Sequence, residues 1–182
     1  MAGMVNAEAE APPLYGATIP VFIDVLDRLE RVLAKAEAAL GDRLAEALLQ
    51  APGPRMMAAG QQVATAAQFT LRVAYPLAGH RVPELRGPLD GPGLRARLAA
   101  ARDHLAALDP VAFEGAEGRM VTAQAGFAVV ELPGEAFLHR FGLPNLYFHQ
   151  AMAHVALKQA GVPLGKADFD GLHDYPEGFS LG

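Results

Sequence analysis

The feature that most constrains this chain is a run of apolar residues recurring every three or four positions: Val21, Phe22, Val25, Leu26, Leu29, Val32, Leu33, Ala36 and Leu40. That spacing draws one apolar stripe along a helix and leaves the opposite side wet. Such a stripe must be covered, and in an Ala- and Leu-rich chain the natural cover is another helix. Thr18 is placed to cap the start, Pro20 falls in the first turn, and Gly41 ends the helix. Asp27 and Arg31 lie one turn apart on its wet side, a weak supporting pair.

The same period recurs downstream. Residues 42–50 suggest a short helix before Ala51-Pro52-Gly53-Pro54 breaks the chain. A second long helix is predicted from about Met56 to Ala74, with Gln61, Thr65, Gln68 and Arg72 as its polar stripe and Gln62 projecting into its apolar face. His80 to Pro88 reads as a loop. Asp90-Gly91-Pro92-Gly93 opens a third helix whose Leu94, Leu98, Ala101, Leu105 and Leu108 face inward, and Asp109-Pro110 closes it. Met120 to Glu131 changes character: β-branched and aromatic residues around Gly126 predict a β-hairpin. Gly134 to Arg140 reads as a short helix leading into a last one, Leu143 to Gly161, and Leu164 onward reads as irregular. The expected class is all-α: a four-helix bundle with a small β-hairpin before the last helix. Residues 1–13 read as a flexible tail and 14–182 as one domain.

Composition closes off several functions. The net charge of −5 supplies no basic field for a nucleic-acid backbone. The absence of cysteine removes disulfides, thiolate metal sites and a cysteine nucleophile together. No run of about 18 apolar residues predicts a membrane span, and no basic-then-apolar leader is visible. A cytoplasmic protein without nucleic-acid or membrane partners is the expectation.

On a helical wheel, the last helix shows an oddity. Leu146, Phe148, Met152, Ala153, Val155, Ala156, Leu157 and Ala160 form its apolar arc, and Tyr147, Gln150, His154 and Lys158 its wet arc. Asn145 and His149 point into the apolar arc. Buried polar groups need partners, and the comparable residue on the second helix is Gln62. His149, Asn145 and Gln62 therefore make a candidate constellation, read either as a hydrogen-bond network fixing helix register or as a binding pocket. His149 is the only good metal ligand of the three, because amide oxygens bind zinc or nickel weakly. Elsewhere, Glu135 and His139 read as a surface pair, Arg95, Arg97 and Arg102 as a solvated face, and His80, His104 and His173 as isolated.

Four stretches also carry a resemblance: Leu14-Tyr15-Gly16-Ala17-Thr18-Ile19-Pro20, Leu108-Asp109-Pro110 through Phe113-Glu114-Gly115, Leu143-Pro144-Asn145-Leu146-Tyr147-Phe148-His149, and Leu157 through Lys166. Together they resemble a bacterial family of unknown function within the DinB/YfiT-like four-helix-bundle superfamily. The superfamily's hallmark is a divalent metal held by three histidines, one on the second helix and two as H-x-x-x-H on the fourth. By that resemblance His149 matches the second of the pair, Asn145 the first, and Gln62 the second-helix histidine. Two of three ligands are thus replaced, which implies a degenerate metal site. Some superfamily members are metal-dependent thiol transferases or isomerases. The resemblance leaves three functions in view: a small molecule bound in the central cleft with metal absent or weak, a non-catalytic and dimeric helical protein, and a divalent-metal-dependent hydrolase or thiol transferase.

Overall fold

A computed structural model describes residues 11–176. It comprises α1 (Pro13–Leu40), α2 (Leu44–Leu49), α3 (Ala59–Leu77), α4 (Gly91–Ala106), β1 (Met120–Ala125), β2 (Ala128–Pro133), α5 (Gly134–Phe137), α6 (Leu143–Gln159) and α7 (Lys166–Asp170). A π-helical turn, Leu138–Gly142, joins α5 to α6. The long helices α1, α3, α4 and α6 form the bundle. Going round it, α1 packs on α4, α4 on α3, α3 on α6 and α6 on α1. The first ten residues of the expected tail lie outside the described residues.

The apolar stripe of α1 is buried as its spacing predicts, with Phe22, Val25 and Leu26 fully inaccessible. Its start differs. The helix begins at Pro13, inside the stretch read as tail, and Thr18 is an interior, fully buried residue instead of a cap. Proline at the first helical position has no N–H to leave unpaired and a φ already set for the helix. Tertiary contacts then hold the added turns: Leu14 is buried, and the Tyr15 ring meets the buried Phe113 ring edge-on at 5.4 Å.

The start of α3 also moves, from Met56 to Ala59. The Gln61 side chain turns back to accept the Ala58 N–H at 3.1 Å, and the Ala59 N–H donates to Gln50 O at 2.8 Å, so the first turn is fixed there. At α4, Asp90 caps as expected, its Oδ1 accepting the Gly93 N–H at 2.8 Å. The hairpin has the expected place: β1 and β2 pair antiparallel, Ala125 opposite Ala128, with Gly126 at φ +61° in the two-residue turn.

Two polar assignments are corrected. Arg95 and Arg102 do not form a solvated face. Arg95 reaches Glu30 (2.9 Å) and Glu37 (2.5 Å), and Arg102 reaches Asp27 (3.0 Å), all on α1. Asp27 therefore pairs across the α1–α4 seam and not with Arg31. Arg97 instead donates to the backbone carbonyls of Leu85 (2.6 Å) and Gly87 (2.5 Å), tying down the loop after α3.

The tail end of the chain is more ordered than its sequence suggests. Lys166–Asp170 forms α7, which lies against both α1 and α6. Arg28 of α1 donates to the Asp170 carbonyl at 2.9 Å, Lys35 pairs with Asp168 at 2.5 Å, and Gln150 of α6 donates to the Phe169 carbonyl at 2.9 Å. These three long-range contacts, with the Gly165 N–H donating to Asp168 Oδ2 at 2.9 Å at its start, hold the short helix, since five residues do not sustain one alone.

Candidate functional site

The orientation of α6 decides the site. Its buried residues are Leu146, His149, Gln150, Ala153, Ala156 and Leu157. Phe148 is 50% exposed and Val155 37% exposed, whereas Gln150, read as wet, is 3% exposed. The wheel is therefore rotated relative to the expectation. The reason is physical: apolar and polar residues are both spread around the circumference of α6, so the pattern alone does not select its inner face.

His149 and Gln62 do meet. His149 Nδ1 lies 2.7 Å from Gln62 Oε1 across the α3–α6 seam. The Gln62 amide nitrogen donates to the Met57 carbonyl at 3.3 Å, which orients the amide so that its oxygen faces the imidazole. Oxygen only accepts, so Nδ1 carries the proton and Nε2 holds a lone pair. Nε2 makes no hydrogen bond among the described residues. Burial pushes the imidazole below its ordinary pKa, and the positive charge of Arg72 pushes it further the same way. His149 is thus a neutral imidazole with a defined tautomer.

Asn145 does not join them. Its amide donates to the Phe141 carbonyl at 2.7 Å, four residues back in the π-helical turn. A π-turn shifts the backbone pairing by one residue and disturbs the i−4 ladder, and Asn145 supplies a donor there. The close fit of this turn on α3 uses Gly142, where a Cβ would fall 2.8 Å from Val73 Cγ1. The trio is thus a pair at the seam plus a separate backbone-supporting asparagine.

Around the pair lie two rings and a guanidinium, of which Arg72 is the one expected elsewhere. Phe69 packs on the His149 ring (centroids 5.4 Å apart) and carries Arg72 over its face at 4.5 Å. Phe148 meets His149 edge-on at 5.3 Å and is half exposed, giving the imidazole an apolar rim. Arg72 was legible only as part of a wet stripe. The available signal was Phe69 three residues earlier on the same helix, the spacing that lets a guanidinium cover a ring.

His154 is corrected as well: it does not lie on a wet face. Its Nδ1 is buried and has no hydrogen-bond partner among the described residues, and its ring meets Phe169 of α7 edge-on at 6.2 Å. Burial lowers its pKa, Asp168 partly offsets this, and Lys158 adds to the lowering. His154 faces α7 while His149 faces α3, so the two cannot share an ion. Tyr75 Oη lies 3.1 Å from His104 Nδ1, so His104 is not isolated. His173 is likewise partnered, by Asp170.

A transition metal does not suit this donor set. Gln62 uses its oxygen on His149 and its nitrogen on Met57, and Asn145 spends its nitrogen on Phe141. Among the described residues, no group of three or more His, Asp or Glu is placed to hold an ion. One imidazole with amides is a weak set for zinc or nickel. No helix among the described residues is long and apolar enough to cross a membrane.

A search of curated proteins gives no match. Among solved structures, the chain is similar to the crystal structure of a DinB family member protein from Shewanella denitrificans. The two share 26% identity and a TM-score of 0.77, over 89% of this chain and 94% of that one. The fold is accordingly DinB-like. A family model described as "Domain of unknown function (DUF1993)" matches residues 14–170, and the chain belongs to that family.

Proposed function

We propose that this DinB-like protein binds a small hydrogen-bond-donating molecule at the α3–α6 seam, without a metal, through Nε2 of His149. The carrying observation is the 2.7 Å contact between His149 Nδ1 and Gln62 Oε1, with the Gln62 amide itself oriented by Met57. A neutral imidazole with one nitrogen protonated and anchored offers the other as a hydrogen-bond or proton acceptor of fixed direction. Phe148 and Phe69 supply apolar ring surface against the imidazole. Asn145, in this reading, supports the π-turn and does not touch the ligand.

The test is a fragment screen by NMR on the full chain, followed by His149→Leu and Gln62→Leu. Hydroxyl- or amide-bearing fragments are expected to shift the resonances of His149, Phe69 and Phe148 in the native chain, and to leave those of Phe69 and Phe148 unmoved in both variants. Elemental analysis of protein purified without a histidine tag bears on the metal. Stoichiometric zinc or nickel that disappears in His149→Ala would overturn the metal-free reading.

A second reading rests on the same contact. Three polar atoms of the pair are satisfied within the protein, as in a buried bolt that fixes the register of α3 against α6 in a non-catalytic bundle. Failure of every fragment to perturb His149 selects it, since the loss of stability in Gln62→Leu is common to both readings.

A further inference from the structure

A groove of about 560 Å³, lined in part by Arg72, is bounded by α3, the loop after it and strand β1. Its volume lies within the range of small-molecule sites. The walls are built. Gln68 of α3 donates to Pro83 O at 2.8 Å and accepts the Leu85 N–H at 2.8 Å, so a single amide holds the loop against the helix. Arg97 of α4 grips the same loop from behind through the Leu85 and Gly87 carbonyls. The lining is largely apolar, with Pro76, Val82, Leu85 and Ala123, and Arg72 is the one cation along it.

Arg72 is held by fewer protein acceptors than the other arginines that reach across the fold. Arg28, Arg95 and Arg102 each pair with a carboxylate, and Arg97 and Arg119 each donate to two or more backbone carbonyls. Arg72 has no carboxylate partner among the described residues. Its guanidinium makes one hydrogen bond among the described residues, to the Gln124 carbonyl at 2.7 Å, and lies over the Phe69 ring. That leaves donors of a planar fork without protein acceptors, in a partly buried position where its charge is less well hydrated. Glu84, also on the lining, does not answer it, because Arg86 already holds Glu84 at 2.7 Å.

We infer that this groove is a binding site for a small amphipathic carboxylate, its anionic head on Arg72 and its apolar body along Pro76, Val82 and Leu85. A guanidinium fork matches a carboxylate bidentately, and a single such group suits a monoanion with a hydrophobic tail. The site is separate from the His149 pair and does not depend on the reading given to that pair.

The test is calorimetric titration of the full chain with octanoate, with octan-1-ol, and with inorganic phosphate. Octanoate is expected to bind at one site per chain, more tightly than either of the others. Arg72→Gln is expected to weaken octanoate by about tenfold or more and to leave octanol unaffected. Thr122→Trp, at an exposed position on the β1 wall, fills the groove without altering Arg72 and is expected to abolish binding. It decides the matter should Arg72→Gln fail to fold. No octanoate binding by the native chain, equal binding by folded Arg72→Gln, retained binding by Thr122→Trp, or phosphate or octanol binding as tightly as octanoate would each overturn the assignment.

Discussion

Gln62 and His149 are 87 residues apart in sequence and 2.7 Å apart in space, joined by a buried hydrogen bond between α3 and α6. Removing one partner leaves the other unsatisfied. Gln62→Leu is expected to cost about 1–3 kcal/mol in urea denaturation. The double variant with His149→Leu is expected to cost less than the sum of the two single changes, because an apolar pair leaves neither partner of that contact unsatisfied. Strict additivity would show that the contact does not couple the helices.

The role of Asn145 is separable from that pair. Asn145→Ala removes one hydrogen bond to the Phe141 carbonyl and is expected to cost about 0.5–1.5 kcal/mol. The tautomer of His149, read from its nitrogen chemical shifts, is expected to be unchanged. A change of tautomer would return Asn145 to the site.

The π-turn itself is tested at Gly142. A methyl group there meets Val73 Cγ1 at 2.8 Å, inside van der Waals contact. Gly142→Ala is expected to destabilise by about 1–3 kcal/mol, as overpacking does. Val73→Ala in the same chain is expected to return part of that loss, and thermal melts of the three variants measure it.

How much of this was legible beforehand divides along physical lines. Helices α1, α3 and α4 declared themselves because each carries one apolar stripe, and Asp90 marked a start because a carboxylate accepts the free N–H groups there. The hairpin showed in its β-branched run around Gly126. The face of α6 was not readable, because Phe148 and Val155 are as apolar as the residues that are buried. The π-turn and α7 were not readable either: one rests on a close approach to Val73 and the other on contacts from Arg28, Lys35 and Gln150. Within the site, two of three residues meet. The third, Asn145, shares their inward direction, but a wheel does not show that a backbone carbonyl lies closer.

Acid should weaken the fold before carboxylates titrate. His149 and His154 both have folded pKa values below the ordinary 6.5, in each case chiefly through burial. A base that holds its proton less well when folded gives the unfolded chain more protons at mildly acidic pH. Their contribution is complete above pH 6.5 and declines as pH falls below it toward the folded values. Urea midpoints measured across that window are expected to drop on acidification. The drop should be shallower in His154→Leu.

The ring of four long helices is closed unevenly. Between α1 and α6, the seam is bridged by α7, a five-residue helix held by an arginine, a lysine and a glutamine. Opening there breaks a few polar contacts at a helix too short to persist when released, whereas opening α3 from α6 strips buried apolar surface and the His149 bond together. Backbone amides of α7, and those of α6 facing it, are therefore expected to exchange with solvent deuterium sooner than those of α3, making this seam the first part of the bundle to breathe.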